Sequence, residues 1–151
     1  MKAAFGMGCF WHSQKIFDNL KGVKKTFVGY MGGKIKNPNY ILVCTGLTGH
    51  AETVFVEYNP KIISYNKLLE IFFKSHDYSQ KNRQGFDIGS QYRGVIFYYN
   101  QSQKKIAQEK INELKKIKKV ATELIKATEF YKAEEYHQHY IEKNGGKTCQ
   151  I

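Results

Sequence analysis

The run Ala51 to Tyr58, AETVFVEY, stops at Asn59-Pro60 and is rich in residues that suit a pleated strand. A strand needs partners, so the chain must build a sheet. Alternation along this run puts Glu52 on the same face as Val54, Val56 and Tyr58. Lys2 to Gly8 reads as a short buried strand, Val23 to Tyr30 as a second, Tyr92 to Tyr99 as another, with a shorter one near Thr122 to Ala127. Helical spacing covers Cys9 to Leu20, with Phe10, Ile16, Phe17 and Leu20 as its apolar positions. Ser64 caps a helix through Leu68, Leu69, Phe72 and Phe73, a lysine-rich helix follows Tyr99, and a last helical piece spans Ala133 to Lys143. Met31 to Tyr40 and His76 to Gly89 read as loops. Strands and helices alternate without a strict repeat. The expected fold is therefore α+β, one domain over residues 1–151, a mixed β-sheet with helices packed on it. Asn144-Gly145-Gly146 releases a mobile C-terminal tail at about 144–151, which holds Cys149.

At 151 residues the chain can bury roughly two thirds of the surface its unfolded form exposes, so it needs no covalent staple. Its three cysteines, Cys9, Cys44 and Cys149, are odd in number and form no C-x-x-C pair, which argues against a secreted disulfide framework and a structural zinc site. The apolar run Ala3 to Trp11 is broken by Gly6 and Gly8 and is too short to cross a bilayer. A cytoplasmic protein with no membrane partner is expected. The net charge of +11 includes seven lysines between Lys104 and Lys119. They line the outer face of a helix whose inner stripe is Ala107, Ile111, Leu114 and Ile117, and only two arginines, Arg83 and Arg93, are present. A solvated helix face accounts for that pattern better than a nucleic-acid surface.

Cys9 stands where a strand hands over to a helix, a position in which free backbone N–H groups and the helix dipole favour a thiolate. The flanking Gly6 and Gly8 let backbone approach a substrate, and Phe10 and Trp11 can wall an apolar pocket. Glu52, on an apolar strand face, is a carboxyl whose desolvation favours the protonated form and suits it to general acid work. A frayed, solvated strand end would leave it ordinary. Tyr40 and Tyr92 sit at loop and strand edges, where a phenol can donate to a developing oxyanion. Asp87 precedes Tyr92 and either orients a group or caps a turn. His137 and His139 are two apart and share no helix face, so they read as structural or surface residues and no metal site follows. Cys44, in the apolar run after Ile41, reads as a packing residue. Cys9 in a helix-terminal pocket and Cys149 on a mobile tail suggest a nucleophile and a resolving thiol.

GCFW at Gly8 to Trp11, GYMGG at Gly29 to Gly33, NPNY at Asn37 to Tyr40, TGHAE at Thr48 to Glu52, FDIGSQYR at Phe86 to Arg93 and AEEYHQHY at Ala133 to Tyr140 span nearly the whole chain. In these motifs and their order the sequence closely resembles the A-type peptide methionine sulfoxide reductases. The resemblance implies that Cys9 is the catalytic nucleophile, that Glu52 protonates the sulfoxide oxygen, and that Tyr40 and Tyr92 hydrogen-bond it. Phe10 and Trp11 would hold the S-methyl group of the substrate, with Asp87 at the site. It further implies reduction of the S epimer of methionine sulfoxide, free or in proteins, through a Cys9 sulfenic acid and a Cys9–Cys149 disulfide that thioredoxin or a similar dithiol reduces. No metal, flavin or nucleotide is implied. Phe86 replaces the asparagine usual before the aspartate, Gly94 the serine usual after the arginine, and Tyr78 a common proline. Phe86 is expected to alter how the loop holding Asp87 packs. Only one resolving cysteine is expected, so the first disulfide would be reduced directly.

Two other readings stay open from the residues alone. In the first, Cys9 is an acyl-transfer nucleophile activated by His50, with Glu52 orienting it. In the second, the lysine helix makes the chain a basic binding module.

Overall fold

The computed structural model describes residues 1–145. The expected tail at about 144–151, with Cys149, therefore lies almost wholly outside the described residues. The element order is β1 (Lys2–Gly6), α1 (Phe10–Asp18), β2 (Val23–Met31), α2 (Tyr40–Cys44), β3 (Ala51–Tyr58), α3 (Tyr65–Lys74), β4 (Arg83–Gln84), β5 (Asp87–Ile88), β6 (Val95–Tyr98), α4 (Gln101–Lys115), β7 (Glu123–Lys126), β8 (Tyr131–Lys132) and α5 (Tyr140–Lys143). Six strands form one sheet in the order β7-β6-β1-β3-β2-β8, and β4 pairs with β5 as a separate hairpin. β6 and β7 run parallel and the other pairs antiparallel, which makes the sheet mixed.

Side-chain alternation divides the sheet into two faces. Ala3, Phe5, Val54, Val56 and Tyr58 meet Phe17 of α1, Leu68, Leu69 and Phe72 of α3, and Ala107 and Ile111 of α4. All three longer helices thus cover one face. On the other, Ala4, Ala51, Val95 and Phe97 pack with Tyr99 and Phe130. Capping follows the sequence closely: Ser64 accepts from Lys67 N–H, Asn39 from Leu42 N–H and Asn100 from Gln103 N–H.

Several boundaries differ from expectation. β1 ends at Gly6, and Met7-Gly8 carry the chain to Cys9, which caps α1 from outside the helix. Tyr92 lies in a 3-10 turn, Ser90–Tyr92, before β6 begins at Val95. The helix read over Ala133 to Lys143 is broken by His139, whose φ of 53° is left-handed, into a 3-10 turn and the short α5. Two elements, β8 and the β4–β5 hairpin, are too short to show a periodicity.

Candidate active site

Cys9 is the N-cap of α1, 9% exposed, and its side chain caps nothing. The acceptor that the helix start needs comes from across the sheet, where Glu52 Oε1 takes the N–H of Phe10 at 3.2 Å. Glu52 is 2% exposed at the start of β3, on the helix-covered face with Val54 and Val56. One hydrogen bond thus sets the carboxyl beside the residue that follows Cys9. Gly8, at φ 95°, makes the turn into the helix, and a Cβ there would stand 3.0 Å from Gln84 Cβ. Behind the thiol lies a cavity of about 140 Å³, shared by Cys9, His12, Ser13, His76, Gln84 and Gly85.

Tyr40 arrives on α2. Asn39 caps that helix, and Glu134 Oε2 accepts the Tyr40 N–H at 3.0 Å while its Oε1 accepts the Tyr30 hydroxyl at 2.9 Å. Burial works against the charge of Glu134, but these hydrogen bonds and nearby His137 prevail and hold it below the usual carboxyl range. The Tyr40 phenol is pushed well up by burial, by its hydrogen bond to Cys44 and by the charges of Cys44 and Glu52. The Tyr92 phenol is also pushed up by burial and by the charges of Glu52, Asp87, Cys44 and Cys9, four groups that converge on it. Both phenols are protonated donors at neutral pH. Arg93 anchors the turn that presents Tyr92, donating to Ser90 O at 2.9 Å and Gly49 O at 3.0 Å and pairing with Glu123 at 2.6 Å.

Aromatic rings wall the rest. Phe10 is buried beside Tyr30 and His137 at centroid distances of 5.8 and 5.2 Å, and half-buried Trp11 stacks on Tyr140 at 3.7 Å. Trp11 Nε1 donates to His137 Nδ1 at 2.9 Å, and the Tyr40 ring lies 4.5 Å from the same imidazole. The result is a thiol at a helix start, a buried carboxyl group and two phenols within an aromatic enclosure. That set supplies a nucleophile, a proton source, and donors to an oxygen atom.

Comparison with known proteins decides the family. The profile described as peptide methionine sulfoxide reductase matches residues 1–151. The peptide methionine sulfoxide reductase MsrA of Acidobacterium capsulatum is 49% identical over 154 positions, covering 99% of each chain. The chain belongs to the peptide methionine sulfoxide reductase family. Mxr1 from Saccharomyces cerevisiae in reduced form is 33% identical, with a TM-score of 0.91 over 99% of this chain and 88% of that one. Mxr1 in complex with Trx2 is 25% identical, with a TM-score of 0.65 over 93% and 84%.

Seen as a reductase of this family, the chain carries at its site Glu134, to which the sequence reading assigns no role, and His137, expected only as a structural or surface residue. Glu134 and His137 are central to the enclosure, yet the AEEYHQHY motif shows only that they share a segment. His137 is a fully buried ring of the site, whereas His139 faces Asp18 at 2.8 Å. Cys44 is exposed and is not a packing residue, because the five-residue α2 buries Val43 alone and its neighbour turns outward. Asp87 is half-buried near Tyr92, and burial holds its carboxyl above the usual range, with the charge of His12 offsetting only part of that. Phe86 at the turn of that loop is 82% exposed. His50 is spent elsewhere: Nδ1 accepts Gly33 N–H at 3.0 Å and Nε2 donates to Ile35 O at 2.7 Å. The acyl-transfer reading loses its base. A Cβ on Gly33 would stand 2.4 Å from His50 N, which explains the second glycine of that pair. Among the described residues no cluster of His, Cys, Asp and Glu could hold a metal ion, and no helix is long and apolar enough to cross a membrane.

Proposed function

We propose that this chain reduces the S epimer of methionine sulfoxide, free or in polypeptides, with Cys9 as nucleophile and Glu52 as proton donor. The observation that carries the reading is the bond from Phe10 N–H to Glu52 Oε1, which sets a 2% exposed carboxyl at the helix start headed by Cys9. A buried carboxyl so placed is positioned to deliver the proton that the sulfoxide oxygen needs. Tyr40 and Tyr92 hydrogen-bond that oxygen, Phe10 and Trp11 take the methyl group, and Asp87 flanks the site.

The Cys9 thiolate attacks the sulfoxide sulfur, the oxygen is protonated and ends on Cys9 as a sulfenic acid, and methionine leaves. Thiol and sulfoxide in, sulfenic acid and thioether out, balances without another reactant. Cys149 then attacks the sulfenic acid, giving a Cys9–Cys149 disulfide and water, and thioredoxin or a similar dithiol reduces the disulfide. Thioredoxin dependence is supported by the similarity to Mxr1 in complex with Trx2. The cycle balances on thiols alone, needs no metal, flavin or nucleotide, and suits the reducing cytoplasm.

The test offers separated S and R epimers of a methionine sulfoxide peptide to the protein with dithiothreitol, beside Cys9→Ser. Methionine is expected from the S epimer only, and none from the variant. Release from the R epimer, or full activity of Cys9→Ser, would overturn the reading.

A further inference from the structure

The β4–β5 hairpin pairs Arg83 with Ile88 and Gln84 with Asp87, leaving Gly85 and Phe86 as its turn. It presses on the nucleophile segment: Gln84 is the side chain that a Cβ on Gly8 would meet at 3.0 Å, and Gln84 and Gly85 share a cavity wall with Cys9. Ser90 Oγ, two residues past the hairpin, donates to Gly46 O at 3.4 Å and ties it to the loop after α2. Phe86, Ile88, Leu47 and Ile41 are 82, 67, 87 and 77% exposed. Of ten large apolar side chains exposed among the described residues, five come from segments 41–47 and 86–88. Singly exposed apolar residues need no account, but half of those exposed, falling on two segments that the Ser90–Gly46 bond ties together beside the Cys9 turn, do.

The same segments avoid charge. Residues 37–50 contain no Lys, Arg, Asp or Glu, and residues 84–92 only Asp87, in a chain with 24 cationic and 13 anionic residues. Asp87, and Arg83 at the base of the hairpin with its guanidinium folded onto Gly85 O at 2.6 Å, are the charges a partner meets on these two segments, so most of the rim offers apolar surface that suits an apolar polypeptide segment. Oxidation supplies such segments, since a sulfoxide in a packed core replaces an apolar group with a polar one and loosens the packing around it. The neighbours that emerge with the oxidised residue are core residues and apolar.

We propose that Phe86, with Ile88 and Leu47, forms an apolar lip that selects methionine sulfoxide flanked by apolar residues in locally unfolded polypeptides. The proposal rests on the reductase reading. Two acetylated pentapeptides are compared with dithiothreitol as reductant, one with leucines and one with serines on both sides of methionine S-sulfoxide. For the unaltered protein kcat/KM should favour the leucine peptide about tenfold, the scale of burying part of one large apolar side chain. Phe86→Asn should bring the ratio to about threefold or less, and Phe86→Leu should largely keep it. Equal use of the two peptides by the unaltered protein, or a ratio untouched by Phe86→Asn, overturns the lip. So does an untouched ratio with a raised KM for thioredoxin, which would make the rim a reductant contact. Turnover of neither peptide defeats the reductase reading itself and is thereby told apart.

Discussion

Glu52 accepts the first N–H of α1 and is also the proposed acid, so two substitutions separate the duties. Glu52→Gln keeps an oxygen for Phe10 N–H but has no carboxyl proton. It should fold with near-normal stability, while single-turnover methionine release, followed by rapid quench, slows by about a hundredfold or more. Glu52→Ala loses the acceptor as well and should also cost about 1 kcal/mol in urea unfolding. At Gly94 the expected direction is reversed. A Cβ there would lie 3.5 Å from His76 Nε2 and 3.6 Å from Thr122 Oγ1, ordinary contacts, and neither atom has a hydrogen-bond partner among the described residues. His76 Nδ1 donates to Phe72 O, so Nε2 is a free acceptor. Gly94→Ser, supplying the residue expected at this position, should raise the urea midpoint by the equivalent of about 1 kcal/mol.

Short elements here are held by side chains rather than by their own length. The segment from Ala133 to Tyr140 is bolted to the edge of β2 by Gln138, whose Oε1 accepts Val28 N–H at 2.9 Å while Nε2 donates to Val28 O at 2.9 Å and Ala133 O at 3.0 Å. The 3-10 turn that carries Tyr92 depends in the same way on the Arg93 guanidinium, which holds two carbonyls and a carboxylate from three different segments. A lysine has one charged centre and cannot reproduce that planar fork. Arg93→Lys should lower stability by about 1–2 kcal/mol in urea unfolding and lower kcat/KM, with Tyr92 no longer fixed. An unchanged kcat/KM would show that the turn holds without the fork.

Across the whole molecule, pH acts through buried imidazoles. Burial pushes His76 down to about 4 from an ordinary 6.5, and its bond to Phe72 O offsets only part of that. Between those values the unfolded chain binds a proton that the folded protein refuses, so the contribution of neutral His76 is full above about 6.5 and is lost as pH falls toward 4. His137, also lowered by burial, acts in the same sense. Urea midpoints should therefore drop from pH 7 to about 4.5, and His76→Gln should flatten part of that slope. Redox cycling is the other whole-molecule property. Cys149→Ser should still release about one equivalent of methionine from the reduced protein, yet fail to turn over with thioredoxin, a result read by intact mass and product yield.

Local patterns were enough for β3, for α3 with its Ser64 cap and for the strand-to-helix junction at Cys9, because each depends on residues within one or two turns or on strict alternation; that Glu52 is buried and not solvated at a frayed strand end took the tertiary structure. Motif resemblance added the family and its candidate residues. Tertiary packing alone decided that β1 lies between β3 and β6, that Glu52 serves as acceptor for the helix begun by Cys9, and that Glu134 and His137 hold Tyr40 and Trp11. It also turned Cys44 outward and occupied both nitrogens of His50. Those contacts join groups 15 to 126 residues apart. No local periodicity encodes such pairs; they form only when burial of the sheet's apolar faces has brought the segments together.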